Sequence, residues 1–411
     1  MTRFTFNSVG RLALFCAALN AAVAAAGTAE QARRMHDRLT GVPPSAAVLS
    51  SMQAQIASNN YIAAANIAMD DPAFYNVKLK NWVTPWTNRD GNAFAPLNDF
   101  TATVIGLIRD GATQDFRQVL YGDVIYVGAV SGIAAYSNTS NQHYVDLERS
   151  NANLGDPARL VRSSQSAVTG LATGATAGVM TTRAAARAFF VDGTNRAMFR
   201  YTLKNMLCHD LEEVLDTTRP ADRIRQDITR SPGNDSRIFL NNCVGCHSGM
   251  DPMAQSFAYY DFSYDKMAAD TEAAKEVGQL VYTPGVVHSK YYHDEQNFKP
   301  GYHTPDQQWT NNWRLGPNAA VFGWAGSAGA DGLVHGDGAK SMGQELANSA
   351  AFAQCQVSKV FQSVCLRAPA ETDRNTTVHG VAGVAGMLAN FQSSGNLKQT
   401  FAEAAAYCAG N

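Results

Sequence analysis

The chain has 411 residues, 45% of them hydrophobic and 17% charged, a globular composition long enough for two or three domains with a sizeable core. Net charge is -2 and no acidic or basic run stands out, which argues against a nucleic-acid or anionic-membrane binder. In chain order, Arg3 and Arg11 precede the apolar run from Leu12 to Ala26, and Ala24, Ala25 and Ala26 offer small residues for cleavage. That is the pattern of a signal peptide. A lipoprotein reading through Cys16 is disfavoured by Phe15, and the competing structural reading is a buried N-terminal helix. Cleavage near Ala26 leaves a mature chain of about 385 residues. No later stretch reaches the roughly 20 apolar residues of a membrane span; Val168 to Met180 is broken by Gly and Thr.

Helices are expected over 29–39, 46–58, 62–69 and 98–109, separated by Gly41-Val42-Pro43-Pro44, by Asp70-Asp71-Pro72 and by a loop over 82–96. A short helix from Pro72 to Leu79 is also expected. Residues 115–127 have strand-like stretches, and 131–165 are polar enough to read as a long surface insertion. Further helices are expected over 181–190, 195–208, 341–355, 357–366, 378–391 and 397–408. The region 283–338 reads as an irregular, aromatic-rich excursion. The divisions that follow are a signal segment (1–26), an N-terminal helical domain (27–130), an insertion with a helical connection (131–235), a motif-bearing domain (236–338) and a C-terminal helical domain (339–411). The fold class is mainly α, with long irregular loops.

Seven cysteines are present. Cys16 leaves with the signal. Cys208, Cys355, Cys365 and Cys408 are expected to form two disulfides in an oxidising compartment, with three possible connectivities. The remaining pair lies in Cys243-Val244-Gly245-Cys246-His247, the attachment signal for c-type haem. Two intervening residues place both sulfurs on one helical turn, matched to two vinyl groups on one porphyrin edge, and the adjacent His points at the iron. A zinc site would need a second cysteine pair at similar spacing, and a redox dithiol would want a βαβ context; neither is present. The candidate haem-binding residues are therefore Cys243, Cys246 and His247, with His247 as an iron ligand and one covalent haem expected.

The second axial ligand is not set by spacing. Met250 and Met253 are too close to His247 to cross a porphyrin easily. The candidates are Met267, His288, His293, His303, His335 and Met342. Met342 comes first because its Gly-flanked stretch allows backbone close to a flat ring, and His335 second; a plain core role for Met342 is the competing reading. Asp251-Pro252 is expected to turn the chain after the motif. Phe257, Tyr259, Tyr260 and Phe262 are read as core or haem wall, and Arg314, Trp309 and Trp313 as propionate donors. No GxSxG, HExxH, P-loop or GxGxxG pattern occurs.

The run from Asn242 to Asp261 resembles the "CxxCHxxxDPxGxxxExFD" signature of the planctomycete-type cytochrome c domains, a family of unknown function. Arg38 to Ser45 is similar to its "RLTGxPPS" segment. Gly178 to Thr182 with Asn195-Arg196 and Leu207-Cys208 is similar to its stretch before the haem, and Gly343 to Cys355 to its C-terminal helical pattern. Departures occur at Met253-Ala254, at Ala258-Tyr259 and at Ala197. The resemblance implies a haem protein outside the cytoplasm that passes electrons to a redox partner protein. The motif supports the same expectation: an exported, periplasmic or secreted electron carrier rather than a catalyst. The alternatives are a haem enzyme of peroxidase or oxygenase type with an open distal site, or a haem used as a structural staple.

Overall fold

Helix formation begins where apolar spacing demands it. In α1 (Thr28–Thr40), buried Ala32, Met35, His36 and Leu39 recur at steps of three and four residues, which gathers side chains on one helix face. Gly41 ends it at φ +78°, its N–H donating to the Asp37 carbonyl, a left-handed cap that glycine adopts without steric cost. The computed structural model describes residues 27–191, 195–291 and 301–410; the expected signal segment with Cys16 lies outside them. Ser45 caps α2 (Ala46–Ala57) by accepting from the Val48 N–H at 3.3 Å. After α3 (Tyr61–Met69) comes α4 (Asp99–Arg109), capped by Asn98 and buried along its whole length.

Two expectations are corrected in the next segment. Of the strand-like residues 115–127, Gln118–Tyr121 form a helical turn, and only the end belongs to β1 (Ile125–Gly128). The supposed surface insertion is packed into the molecule. Its α5 (Gln142–Arg149) buries His143, Tyr144 and Leu147, and its β2 (Leu160–Ser163) pairs antiparallel with β1, Ile125 opposite Ser163. The segment has few apolar residues, yet main-chain pairing and the Tyr144 hydroxyl, which donates to the Tyr126 carbonyl at 2.9 Å, bind it to the core.

The chain continues through α6 (Arg183–Phe189) and α7 (Arg196–Thr202), which widens over Leu203–Leu207 before Cys208. The motif helix α8 (Val244–Ala254) follows a wide turn at Phe239–Cys243. Two antiparallel ribbons lie beyond it: β3 (Tyr260–Ser263) with β4 (Gln279–Tyr282), and β5 (Gln308–Asn311) with β6 (Val334–Asp337). The C-terminal helices are α9 (Gly338–Ala347), α10 (Ala350–Cys365), α11 (Val384–Ser394) and α12 (Leu397–Tyr407). The break between α9 and α10 falls earlier than expected because Ser349 caps α10, accepting from the Phe352 N–H at 3.2 Å.

The fold is mainly helical, and its strands form small two-stranded sheets. One buried apolar cluster includes Leu39, Leu107, Met253, Met342, Phe361 and Phe401, so it draws on segments from both ends of the chain. α12 packs on α3 and on α10. The four cysteines outside the motif pair as Cys208–Cys355 and Cys365–Cys408, with Cα–Cα distances of 5.3 and 5.6 Å. Among the described residues no helix is long and apolar enough to cross a membrane.

Candidate functional site

The motif lies on a helix whose inner face is fixed by backbone contacts. A Cβ at Gly249 would fall 2.1 Å from Trp313 Cε2 and Nε1, so the indole rests directly on the helix backbone. The Gly245 carbonyl accepts from the Asp216 N–H at 3.0 Å. Pro252 is inside the helix rather than after it, which corrects the expected turn at Asp251-Pro252. Proline has no N–H to give the Ser248 carbonyl four residues back. Asn312 supplies the missing donor, its Nδ2 meeting that carbonyl at 2.8 Å. The helix therefore survives to Ala254.

With the inner face so held, the motif faces out. Val244, Gly245, Ser248 and Gly249 are buried, whereas Cys243, Cys246 and His247 are each half-buried. Positions i, i+3 and i+4 share one face of an α-helix, so the three residues form a single donor edge. Both motif cysteines are unpaired. The Cys246 thiol donates weakly to the Leu211 carbonyl at 3.6 Å, and burial raises its pKa above the ordinary thiol value. Close to the motif in sequence, Ile238 and Leu240 are 41% and 57% exposed, and Leu215, 51% exposed, lies against Gly245. Two free thiols, an imidazole and uncovered aliphatic side chains are a donor set that fits a c-type haem: sulfurs for the vinyl carbons, nitrogen for iron, and apolar surface for the porphyrin.

His247 is oriented from behind. Its Nδ1 meets Asp251 Oδ1 at 3.1 Å, one turn along the helix, and the Asp251 side chain has no solvent exposure. Arg196 grips the same carboxylate with Nε at 2.7 Å and Nη2 at 2.9 Å, and also binds Asp227. The Arg225 backbone N–H adds a contact at 3.2 Å. Burial pushes the Asp251 carboxyl up, but the Arg196 and Arg225 charges outweigh it and hold the group well below the usual carboxylate range. An ionised carboxylate only accepts, so Nδ1 carries a ring proton, and it is the neutral ring in that tautomer that has its lone pair on Nε2. Among the described residues no partner meets Nε2. Arg196 owes its position to Asn195, a buried residue in the left-handed region at φ 63° whose Nδ2 ties the start of α7 to the Phe257 carbonyl at 2.6 Å. This acid and its arginines were not singled out as site residues from the sequence. The signal available was the i,i+4 spacing of His247 and Asp251 on one helix.

The other expected residues go elsewhere. Met342 is fully enclosed on α9, a helix packed on residues 118–121 and 255–257, and it belongs to the continuous core rather than to the half-exposed motif face. His335 is held between Thr310 at 3.0 Å and Asp331 at 2.8 Å. His288 pairs with Asp261 at 2.8 Å, Met267 is 92% exposed, and His303 is exposed. His293 lies outside the described residues. Arg314 is committed to Glu345 at 2.8 and 2.7 Å, Trp309 donates to Ser341 at 2.8 Å, and Trp313 is fully buried. Phe257, Tyr260 and Phe262 are core. Among the described residues no cluster of His, Cys, Asp and Glu suits a metal ion. Comparison with protein-family models, curated proteins and solved structures finds no match, so the reading of the site rests on its own residues.

Proposed function

We propose that the chain is an exported c-type cytochrome that carries one haem through Cys243 and Cys246, with His247 as an axial ligand, and passes single electrons to a redox partner protein. The reading makes it akin to the planctomycete-type cytochrome c domains it resembles in sequence. The observation that carries it is the single helix edge formed by two unpaired thiols and an imidazole whose far nitrogen is already committed to Asp251. Each thiol S–H would add across one vinyl C=C, leaving two thioether bonds and no leaving group. Bound haem supplies a one-electron couple whose potential the protein sets through ligands, burial and hydrogen bonds. The four cysteines paired in two disulfides accord with an oxidising compartment outside the cytoplasm.

The test is direct. Expressed with its leader in a host that matures c-type cytochromes, the protein is expected to keep haem through denaturing electrophoresis and to add one haem mass. Loss of covalent haem is expected in the C243A/C246A variant. A wild-type chain that releases its pigment, or never acquires one, overturns the proposal. Met342, first among the sequence candidates for the second ligand, is enclosed in the core; Met342→Ala is therefore expected to leave the spin state unchanged, and a low-spin spectrum turned high-spin would make it the ligand. A second reading, a haem enzyme with an open distal site, is favoured by the enclosure of Met342 in the core and the pairing of His335. Cyanide or CO binding to the unmodified protein would select that reading.

A further inference from the structure

We propose that Asp251 is the positioning residue for the iron ligand His247, and that its negative charge, shared with Arg196, sets the potential of the site. The inference rests on the haem reading and goes beyond it. A histidine that binds metal through one nitrogen is oriented and made more basic by the acceptor on the other. Here that acceptor is a side-chain carboxylate, not a backbone carbonyl, supplied by the same helix at i+4 and wholly enclosed. Its lone pairs are divided. Oδ1 faces both His247 Nδ1 and Arg196 Nε, while Oδ2 takes Arg196 Nη2 and the Arg225 N–H. Arg196 in turn shares its charge with Asp227, and Arg225 packs over the Tyr291 ring at 4.6 Å.

Two consequences follow. First, with Nδ1–H donated to Asp251, Nε2 is the ring nitrogen left to meet iron. Second, a carboxylate on Nδ1 gives the imidazole more anionic character, which favours ferric over ferrous iron. The ion pair with Arg196 tempers this, since charge drawn toward the guanidinium is withdrawn from the ring. Removing the acid and removing the arginine therefore move the potential in opposite directions.

Spectropotentiometric titration of full-length protein tests this, a mediator supplying the one electron that takes ferric to ferrous iron. In Asp251→Asn the ferric preference is expected to fall by ten- to a hundredfold, a midpoint rise of about 60–120 mV. Asp251→Glu, which keeps the charge, should return part of the way. In Arg196→Gln the midpoint should fall. An Asp251→Asn protein with covalent haem and an unmoved midpoint overturns the proposal. If Asp251→Asn does not accumulate folded, Arg196→Gln decides by its sign, and a rise or no change there overturns it equally. Wild-type protein without attached haem sinks the haem reading itself, whereas haem attachment with an unmoved potential sinks only the role of Asp251.

Discussion

Gly249 offers a quantitative test of how the motif helix is seated. In Gly249→Ala the new methyl would lie 2.1 Å from two indole atoms of Trp313. Nonbonded carbon atoms settle at roughly 3.5–4.0 Å, so helix or indole must retreat by about 1.5 Å. The indole is poorly placed to give way: Trp313 is fully buried and stacks on Phe322 at a centroid distance of 5.3 Å and an interplanar angle of 17°. Overpacking of this kind costs about 1–3 kcal/mol. The gain from replacing a mid-helix glycine by alanine is about 1 kcal/mol, so the variant should be less stable by up to about 2 kcal/mol. Urea unfolding followed by circular dichroism reads this as a lowered midpoint. Trp313→Phe removes the contacting ring edge, so in that background the alanine should cost less or stabilise. A Gly249→Ala midpoint at or above wild type, or a double variant weaker than the sum of the singles, would refute this seating.

Asn312→Ala should cost about 1–3 kcal/mol by leaving the Ser248 carbonyl buried and unpaired, and Pro252→Ala, which restores the missing N–H, should remove most of that cost in a double-mutant cycle. Peptide mapping without reduction should recover Cys208 linked to Cys355 and Cys365 linked to Cys408, and the C365S/C408S variant should lose about 2–4 kcal/mol of stability. The Arg367 guanidinium, against burial and with help from the Ala370 N–H, holds Asp373 down to about 2. A carboxylate depressed in the folded state stabilises above its unfolded pKa, and that stability is lost as pH falls toward the folded value. Asp373→Asn should therefore be less stable at neutral pH, with a flatter stability profile between about pH 4 and pH 2; an unchanged profile in unfolding experiments would count against the Arg367 pairing.

The helices were legible wherever local chemistry decided them: the α1 stop at Gly41, the Asn98 cap, the Ser45 cap. The motif was legible because its five residues are contiguous. What was not legible depended on distant partners. Polar residues 131–165 join the core because β2 finds β1 and Tyr144 finds the Tyr126 carbonyl, neither of which local composition reveals. Pro252 reads as a helix stop unless Asn312, sixty residues on, is known to satisfy the carbonyl it strands. The ion network behind His247 draws on Arg196, Arg225, Asp227 and Asp251, and only the His247–Asp251 spacing was visible in one dimension. Arg314 and Trp309 had suitable donors for propionates, but Glu345 and Ser341 claim them.

The packing of α12 on α3 has a consequence for how the chain comes to be folded. Emerging N-terminus first, α3 waits about 330 residues for its partner. Until Leu397–Tyr407 arrives, a helix that buries Ala64, Ala65 and Ala68 in the finished protein lacks one of its neighbours. Closure of so long a loop is slow relative to local contacts. The final closure is local to the C-terminus, where Cys408 joins Cys365 and its carbonyl receives the Arg38 guanidinium at 2.8 Å. A chain that loses only its last dozen residues would forfeit this latch while keeping every residue of the motif, and would stay open to proteolysis at its other end.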